Sequence, residues 1–178
     1  MRLNLPNALA LIRVFLAPLL FILLIQRDFF ESIHISWLDY YAALIFVIAS
    51  ITDFFDGFIA RKWNQKTKLG AILDPLADKM LTLAAFLGLM LIGRANPWAI
   101  YLILTREFFI TGLRVMAASE GANIAASFAG KVKTVMQMIA IGFLIMDWPL
   151  AQFLLWIAVA MTLYSGWEYI VNFTKEDE

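Results

Sequence analysis

The stretch ITDFFDGFIARKWNQKTKLGAILDPLADK, residues 51–79, places four aspartates in a chain that is otherwise strongly apolar. Asp53 and Asp56 are three residues apart, and Asp74 and Asp78 are four apart, so each pair lies on one face of a helix. Carboxylates are costly inside a membrane, where they mark ion paths, proton relays or bound cations. The stretch therefore predicts either buried transport groups or a cation site at a membrane edge.

The composition favours a lipid environment. The 178 residues are 62% hydrophobic and 16% charged, whereas a soluble domain is nearer half apolar. The 14 basic and 14 acidic residues balance, so no overall field draws nucleic acid to the chain. The chain has no cysteine, which excludes disulfides, zinc–thiolate sites and thiol nucleophiles. We expect its one histidine, His34, to be a loop residue and not a catalyst.

Six apolar windows approach the length of about 20 residues that a helix needs to cross the membrane. The first window runs into QRDFFES, which offers no small-residue cleavage site, so we expect a retained membrane helix and not a signal peptide. We therefore expect an all-α integral membrane bundle of six transmembrane helices in a single domain, residues 1–178. The windows are residues 8–26, 37–60, 70–93, 97–119, 131–147 and 149–172.

The basic residues predict an orientation. They collect at the amino terminus and in alternate connectors, which the positive-inside rule assigns to the cytosol together with both chain termini. Three tryptophans, Trp37, Trp98 and Trp148, fall at the opposite helix ends, as in an interfacial belt. The basic residues in question are Arg2, Arg13, Arg61, Lys62, Lys66, Lys68, Lys131 and Lys133.

This topology places the four aspartates at one depth. If the second helix starts at Trp37, Asp53 and Asp56 lie about 24–29 Å along it, close to the cytosolic boundary. The third helix begins near Gly70, so Asp74 and Asp78 lie in its first turns at a similar level. Clustered oxygen ligands suit a hard divalent cation such as Mg²⁺ or Mn²⁺. The clustering favours a cation site over a proton path through the membrane.

The full spacing of this stretch is D-x2-D-G-x2-A-R-x8-G-x3-D-x3-D, and the chain fits it without a gap. It resembles the signature of the CDP-alcohol phosphatidyltransferases, a family of membrane enzymes, and the resemblance extends over almost the whole chain. The eight residues that fill the pattern are Asp53, Asp56, Gly57, Ala60, Arg61, Gly70, Asp74 and Asp78.

The resemblance implies a reaction and a metal site. Such enzymes take a cytidine-diphosphate-activated donor, usually CDP-diacylglycerol, pass its phosphatidyl group to an alcohol and release CMP. Two divalent cations, Mg²⁺ or Mn²⁺, would be held by Asp53, Asp56 and Asp74. Asp78 would help complete the metal site and act as general base on the acceptor hydroxyl. The family resemblance also implies a homodimer.

The resemblance further implies a donor site on the same stretch. Gly57, Ala60 and Arg61 would form the cradle for the cytidine and phosphates of CDP-diacylglycerol. Asp53 and Asp56 would contribute through the metal ions, and Gly70 would allow close approach on the face that carries Asp74 and Asp78.

Several other segments resemble the members of this family that make phosphatidylglycerophosphate, namely NLPNALALIRVFLAPL, GAILDPLADK, LTREFFITGLR and GKVKTVMQM. Their acceptor is sn-glycerol 3-phosphate, a dianion that needs cations beyond the metals. Arg106, Arg114, Lys131 and Lys133 are the candidates for its phosphate. Arg106 lies deepest, and an intrahelical pair with its neighbour Glu107 is unfavourable. We expect Arg106 to pair with an acidic group on another helix or to lie at a watery end of the pocket.

Alternatives remain at this point. The same chemistry could use inositol phosphate, serine or phosphatidylglycerol as the acceptor. A cation transporter would also use intramembrane carboxylates, but near the midplane on broken helices. A purely structural membrane subunit would leave the aspartates unexplained. The expected location is a bacterial inner membrane, which the chain crosses several times, with membrane lipid around it and the active site on the cytosolic side.

Overall fold

The fold is built from six long helices. The computed structural model describes residues 5–30, 33–62, 68–119 and 128–176, with side chains for residues 7–30, 33–52, 76–117 and 128–174. A short 3-10 helix, Arg27–Phe30, follows the first long helix, and the described part of the chain contains no strand. The long helices are α1 (Leu5–Ile25), α2 (Ile35–Lys62), α3 (Lys68–Leu91), α4 (Pro97–Ser119), α5 (Phe128–Ile145) and α6 (Ala151–Glu176).

These helices confirm the expected all-α membrane fold, and their ends fall within four residues of the six apolar windows. Among the residues whose side chains are described, four helices, α1, α2, α5 and α6, have segments long and apolar enough to cross a membrane. Every 18-residue segment of α4 contains Arg106, Glu107 and Arg114. Its charges therefore distinguish it from the four apolar helices.

A polar clamp shows how the helix ends are arranged. Asp39, near the start of α2, accepts hydrogen bonds of 2.7 Å from Arg27, just after α1, and from Arg94, just after α3. Arg94 also donates to the carbonyl of Ile145 at the end of α5, and Gln152 of α6 donates to the carbonyl of Arg94. The helices therefore run alternately up and down, and this end of the bundle is the "clamp end". The other end, where α2 ends and α3 begins, is the "motif end".

The helices pack closely around small residues. Buried alanines on α1, α2 and α3 lie in a core that also contains Leu20, Phe46 and Phe86. At Gly88 a Cβ atom would lie 2.8 Å from Cδ1 and 3.1 Å from Cβ of Leu24, so α1 and α3 approach each other there without room for a side chain. Small residues allow such approach in membrane bundles, where van der Waals packing drives helix association.

The connection between α3 and α4 shows how local sequence ends one helix and starts the next. Gly93 has a φ of 75°, and the following amide of Arg94 donates to the carbonyl of Leu89, as in a Schellman cap. The side chain of Asn96 accepts from the amide of Trp98, with Pro97 at the first helical position. The sequence GRANPW therefore forms a tight turn at the clamp end.

His34 is a loop residue, as expected. It is exposed before α2, and its Nδ1 accepts a hydrogen bond of 3.3 Å from the backbone amide of Ser36. The three tryptophans expected at one level are also exposed and lie at the clamp end. Trp37 and Trp98 lie in the first turns of α2 and α4, and Trp148 follows α5.

Candidate active site

The backbone places the four motif aspartates at matching heights. Asp56 lies six residues before the end of α2, and Asp74 lies six residues after the start of α3, or about 9 Å from each helix end. Asp53 and Asp78 lie nine and ten residues from the same ends, one turn further into the bundle. The Cα positions of the motif therefore form two levels near the motif end.

Only Asp78 among the motif residues has a described side chain. The side chains of Asp53, Asp56, Gly57, Ala60, Arg61, Gly70 and Asp74 lie outside the described part, so their expected metal and donor contacts stay predictions. Where side chains are described, no three acidic, histidine or cysteine residues group into a metal site. The donor set of the motif, four carboxylates, nevertheless fits the oxygen ligands that Mg²⁺ and Mn²⁺ prefer.

Asp78 lies on the wall of a cavity of about 560 Å³. The cavity brings this expected general base together with all four residues expected to bind the acceptor phosphate, although they come from α3, α4 and α5. Its polar lining residues are Ser50, Asp78, Lys79, Arg106, Glu107, Thr111, Arg114, Lys131, Lys133 and Thr134.

The described lining of this cavity is rich in positive charge. Five side chains are cationic, and two, Asp78 and Glu107, are anionic, which leaves three positive charges in excess. Such an excess attracts an anionic ligand and repels a cationic one. Arginine and lysine together offer both the planar fork and the compact charge that bind phosphate oxygens.

Glu107 holds two of these cations. Its Oε1 accepts a hydrogen bond from Lys133 Nζ of α5 and one of 3.2 Å from Arg106 Nη1. The Lys133 side chain is only 9% exposed, so its ammonium is removed from solvent and this ion pair is nearly buried. A buried charge needs such a partner, because an uncompensated one costs several kcal/mol.

The contacts of Arg106 correct one of the two expectations for this residue, a pair with an acidic group on another helix. Its acidic partner is the adjacent Glu107, and its contact on another helix is to Ser165 Oγ of α6, at 2.8 Å. Glycine at position 166 leaves room for the arginine, because a Cβ there would lie 3.1 Å from Arg106 Cγ. Arg106 pairs with Glu107 because the contact with α6 fixes the direction of the Arg106 guanidinium. The spacing of residues along one helix does not reveal this constraint.

A buried polar chain extends this arrangement across three helices. Ser165 donates to the carbonyl of Thr162, whose hydroxyl accepts a hydrogen bond of 2.9 Å from Gln137. Gln137 lies one turn after Lys133 on α5, so the contacts return to the helix that carries the lysine. These side chains fix α4, α5 and α6 relative to one another beside the cavity.

The other two expected acceptor residues are more accessible. Arg114 is exposed, and its guanidinium lies 5.5 Å from the ring centre of Tyr169, a buried residue of α6. Lys131 is exposed near the start of α5. Both line the cavity, so they are placed at its entrance side relative to the buried Lys133.

The polar cavity residues that were not foreseen as site residues are five, namely Ser50, Lys79, Glu107, Thr111 and Thr134. Lys79 donates to Thr111 Oγ1, and Thr111 donates to the carbonyl of Glu107, so α3 is connected to α4 beside Asp78. The adjacent charges of Asp78 and Lys79 within an apolar helix were a usable signal for Lys79. The role of Glu107 depends on Lys133, 26 residues away, and no local pattern reveals it.

Arg13, expected among the basic residues that mark the cytosolic side, is fully buried in α1. Leu24 of α1 lies against Gly88 of α3, and these parallel helices place Arg13 at the height of Ala77, 11 residues earlier on each. Arg13 therefore lies at the level of the motif.

The geometry indicates what this cavity can do chemically. A carboxylate, Asp78, lies on one wall with basic side chains on the others. A ligand that carries an anionic group and a hydroxyl can bind through the cations and lose the hydroxyl proton to the carboxylate. Such a site suits transfer of a group to the hydroxyl of an anionic alcohol.

Comparison with known proteins agrees with this chemistry. The sequence model described as CDP-alcohol phosphatidyltransferase matches residues 3–164. The chain is 40% identical to the CDP-diacylglycerol–glycerol-3-phosphate 3-phosphatidyltransferase of Bacillus subtilis, with 93% of each chain covered. It is 37% identical to the Escherichia coli protein of the same name, covering 96% of this chain and 94% of that one. The Cereibacter sphaeroides protein of that name is 31% identical, with 93% of each covered.

Proposed function

Because the chain belongs to the CDP-alcohol phosphatidyltransferase family, we propose that it transfers a phosphatidyl group from CDP-diacylglycerol to sn-glycerol 3-phosphate. The products are phosphatidylglycerophosphate and CMP. The observation that carries the choice of acceptor is the cavity beside Asp78, where the described side chains have three positive charges in excess. A phosphorylated alcohol fits that excess, whereas zwitterionic serine does not. The names of the curated relatives support glycerol 3-phosphate over inositol phosphate.

Asp78 acts as the general base. The acceptor hydroxyl oxygen forms a bond to the phosphorus that carries diacylglycerol, and the bond from that phosphorus to the CMP oxygen breaks. The hydroxyl proton passes to the Asp78 carboxylate, and CMP leaves with the electrons of the broken bond. General-base assistance of this kind contributes about 10²–10⁴-fold to a rate.

The acceptor phosphate binds on the cationic walls. Lys133 is nearly buried, while Arg114 and Lys131 are exposed to solvent. Arg106 contributes positive charge from behind Glu107. Asp78 lines the same cavity, so a hydroxyl of the bound glycerol can reach its carboxylate.

Two divalent cations, Mg²⁺ or Mn²⁺, would hold the donor pyrophosphate. Asp53, Asp56, Asp74 and Asp78 would hold these ions, and the pairwise matching heights of their Cα positions on α2 and α3 support the assignment. When bound, the ions neutralise charge that develops on the pyrophosphate and its leaving group. Gly57, Ala60, Arg61 and Gly70 line the path of the cytidine and phosphates, as the motif implies.

We place the protein in a bacterial inner membrane as a multi-pass homodimer, surrounded by lipid, with the motif end in the cytosol. The 28 residues of α2 extend about 42 Å, which exceeds the ~30 Å hydrocarbon layer. With the exposed Trp37 at one interface, the last turns of α2 reach the opposite boundary. Both substrates then meet there, glycerol 3-phosphate from the cytosol and CDP-diacylglycerol from the bilayer.

Purified protein in detergent tests the proposed reaction. With CDP-diacylglycerol, glycerol 3-phosphate and Mg²⁺, we expect CMP and phosphatidylglycerophosphate in equal amounts. A chelator should stop both products, and added Mg²⁺ or Mn²⁺ should restore them. CMP release that does not depend on glycerol 3-phosphate, or that continues in the chelator, would contradict the proposal.

A further inference from the structure

Glu107 occupies an unusual place in a cavity assigned to a phosphate. It contributes a carboxylate to a wall whose other described charges, except Asp78, are positive. A negative charge there opposes the binding of an anion, so its presence is best explained by its contacts with the neighbouring cations. Its side chain is 24% exposed and contacts Lys133 and Arg106, so its role concerns those two residues.

Lys133 cannot keep its position without an acidic partner. Its side chain is 9% exposed, on a helix that begins at Phe128 and carries it into the bundle. Glu107 supplies the ion-pair partner from α4, with the same oxygen that accepts from Arg106. Arg106 in turn donates to Ser165 of α6, so the carboxylate is connected to α6 as well as to α5.

We propose that Glu107 is a positioning residue for the acceptor phosphate, because its carboxylate holds the Lys133 ammonium on the cavity wall in the orientation that the phosphate requires. The inference rests on the proposed function and deepens it. A lysine ammonium has three N–H donors. One donates to Glu107, and two can donate to phosphate oxygens, so Glu107 need not leave when the acceptor binds.

The contacts of Glu107 also account for the charge of the cavity with and without a bound acceptor. Without an acceptor, Glu107 compensates a cation that would otherwise be buried and uncompensated. With an acceptor, the excess of three positive charges in the described lining still exceeds the two negative charges of a phosphate. Glu107 therefore fixes the position of Lys133 and reduces the attraction for the phosphate only slightly. A group that binds a ligand must itself be held in place by its neighbours.

The substitution Glu107→Gln tests this role, since it keeps the shape of the side chain and removes its charge. We expect the KM for glycerol 3-phosphate to rise about tenfold, the effect of losing one hydrogen bond between charged groups. The KM for CDP-diacylglycerol should change by less than about twofold, because only the acceptor loses binding. Glu107→Asp, which keeps the charge, should show a smaller rise. The matched control is Glu168→Gln on α6, which removes the same charge from a half-buried residue outside the described cavity lining.

A double-mutant cycle separates positioning from a general structural effect. If Glu107 acts through Lys133, then adding Glu107→Gln to Lys133→Met should raise the KM for glycerol 3-phosphate by no more than about twofold. Thermal unfolding in detergent establishes that each variant is folded, and the KM for CDP-diacylglycerol reports on the rest of the site.

Two results would overturn the proposal. One is an additive cycle, in which Glu107→Gln weakens acceptor binding equally with and without Lys133. The other is an equal rise in the KM for both substrates. If the unaltered protein proves to use inositol phosphate and not glycerol 3-phosphate, the proposed function fails instead, and the same cycle with inositol phosphate still decides the role of Glu107.

Discussion

Asp78 is the residue at which the motif and the cavity meet. It belongs to the spacing that identifies the family, and its half-buried side chain lines the cavity that also contains the basic residues of α4 and α5. The position fits a group that must reach a hydroxyl on a ligand held by cations. Its role can be separated from donor binding by experiment.

The substitution Asp78→Asn should lower kcat by about 10²–10⁴-fold, because an amide cannot accept the hydroxyl proton. CDP-diacylglycerol should still bind in the presence of Mg²⁺, since three motif carboxylates remain for the metal. Turnover of the acceptor and equilibrium binding of the donor are the two measurements. Asp28→Asn, at an exposed position of the clamp end, is the matched control. Near-normal turnover in Asp78→Asn would refute the general-base assignment.

Arg114 is expected to contribute to the acceptor site and not to the donor site. It is exposed on the cavity wall, with its guanidinium over the ring of Tyr169. Arg114→Ala should raise the KM for glycerol 3-phosphate by about tenfold, as for the loss of a charged hydrogen bond, and affect CDP-diacylglycerol much less. Arg114→Lys should lie between, because it keeps the charge and loses the fork. Equal effects on both substrates would count against this role.

At the level of the helices, most of the fold could be predicted from the sequence. The apolar windows located all six helices within four residues, because each window has about the length that a helix needs to span a membrane. The contacts between helices could not be predicted in the same way. The pair of Glu107 with Lys133 and the contact of Arg106 with Ser165 join residues distant in sequence, so they depend on how α4, α5 and α6 pack.

The clamp at Asp39 should stabilise the folded protein and should not affect catalysis. Asp39 is 6% exposed and holds Arg27 and Arg94, so Asp39→Asn leaves two arginines without their carboxylate. Loss of a buried partner costs about 3–5 kcal/mol, and the Tm in detergent should fall clearly. Turnover of the folded variant at low temperature should persist, because the clamp lies at the opposite end from the cavity.

Asp147→Asn provides the control for this prediction on the same arginine. Asp147 is 69% exposed, and its oxygen lies 3.7 Å from Arg94 Nε, so the pair should contribute only about 0–1 kcal/mol. Its φ of 51° is one that asparagine adopts readily. A Tm for Asp147→Asn as low as that for Asp39→Asn would show that the buried clamp is not what stabilises this end.

Across the whole molecule, the two ends of the bundle differ in chemistry. The clamp end has its arginines bound by Asp39 and carries exposed tryptophans, whereas the motif end contains the cavity whose described lining has excess positive charge. The proposed orientation puts the motif end in the cytosol, where glycerol 3-phosphate is available. The positive charge of the site could be anticipated from the basic residues, but the role of Glu107 in holding Lys133 could not.

Labelling of single cysteines measures this orientation, since the chain has no cysteine of its own. Asp28→Cys lies at the clamp end, and Thr174→Cys lies in the last turn of α6 at the motif end, both at exposed positions. An impermeant maleimide should label Asp28→Cys on intact bacterial cells whose outer membrane has been opened. It should label Thr174→Cys only after the inner membrane is permeabilised, and the reverse pattern would invert the proposed topology.

The choice of acceptor is the central claim, and an acceptor assay tests it most directly. Purified protein with CDP-diacylglycerol and Mg²⁺ is given glycerol 3-phosphate, inositol phosphate, serine or phosphatidylglycerol in turn, and the lipid product is identified by its mass. We predict CMP release and phosphatidylglycerophosphate with glycerol 3-phosphate alone. CMP release with inositol phosphate, and none with glycerol 3-phosphate, would contradict the account.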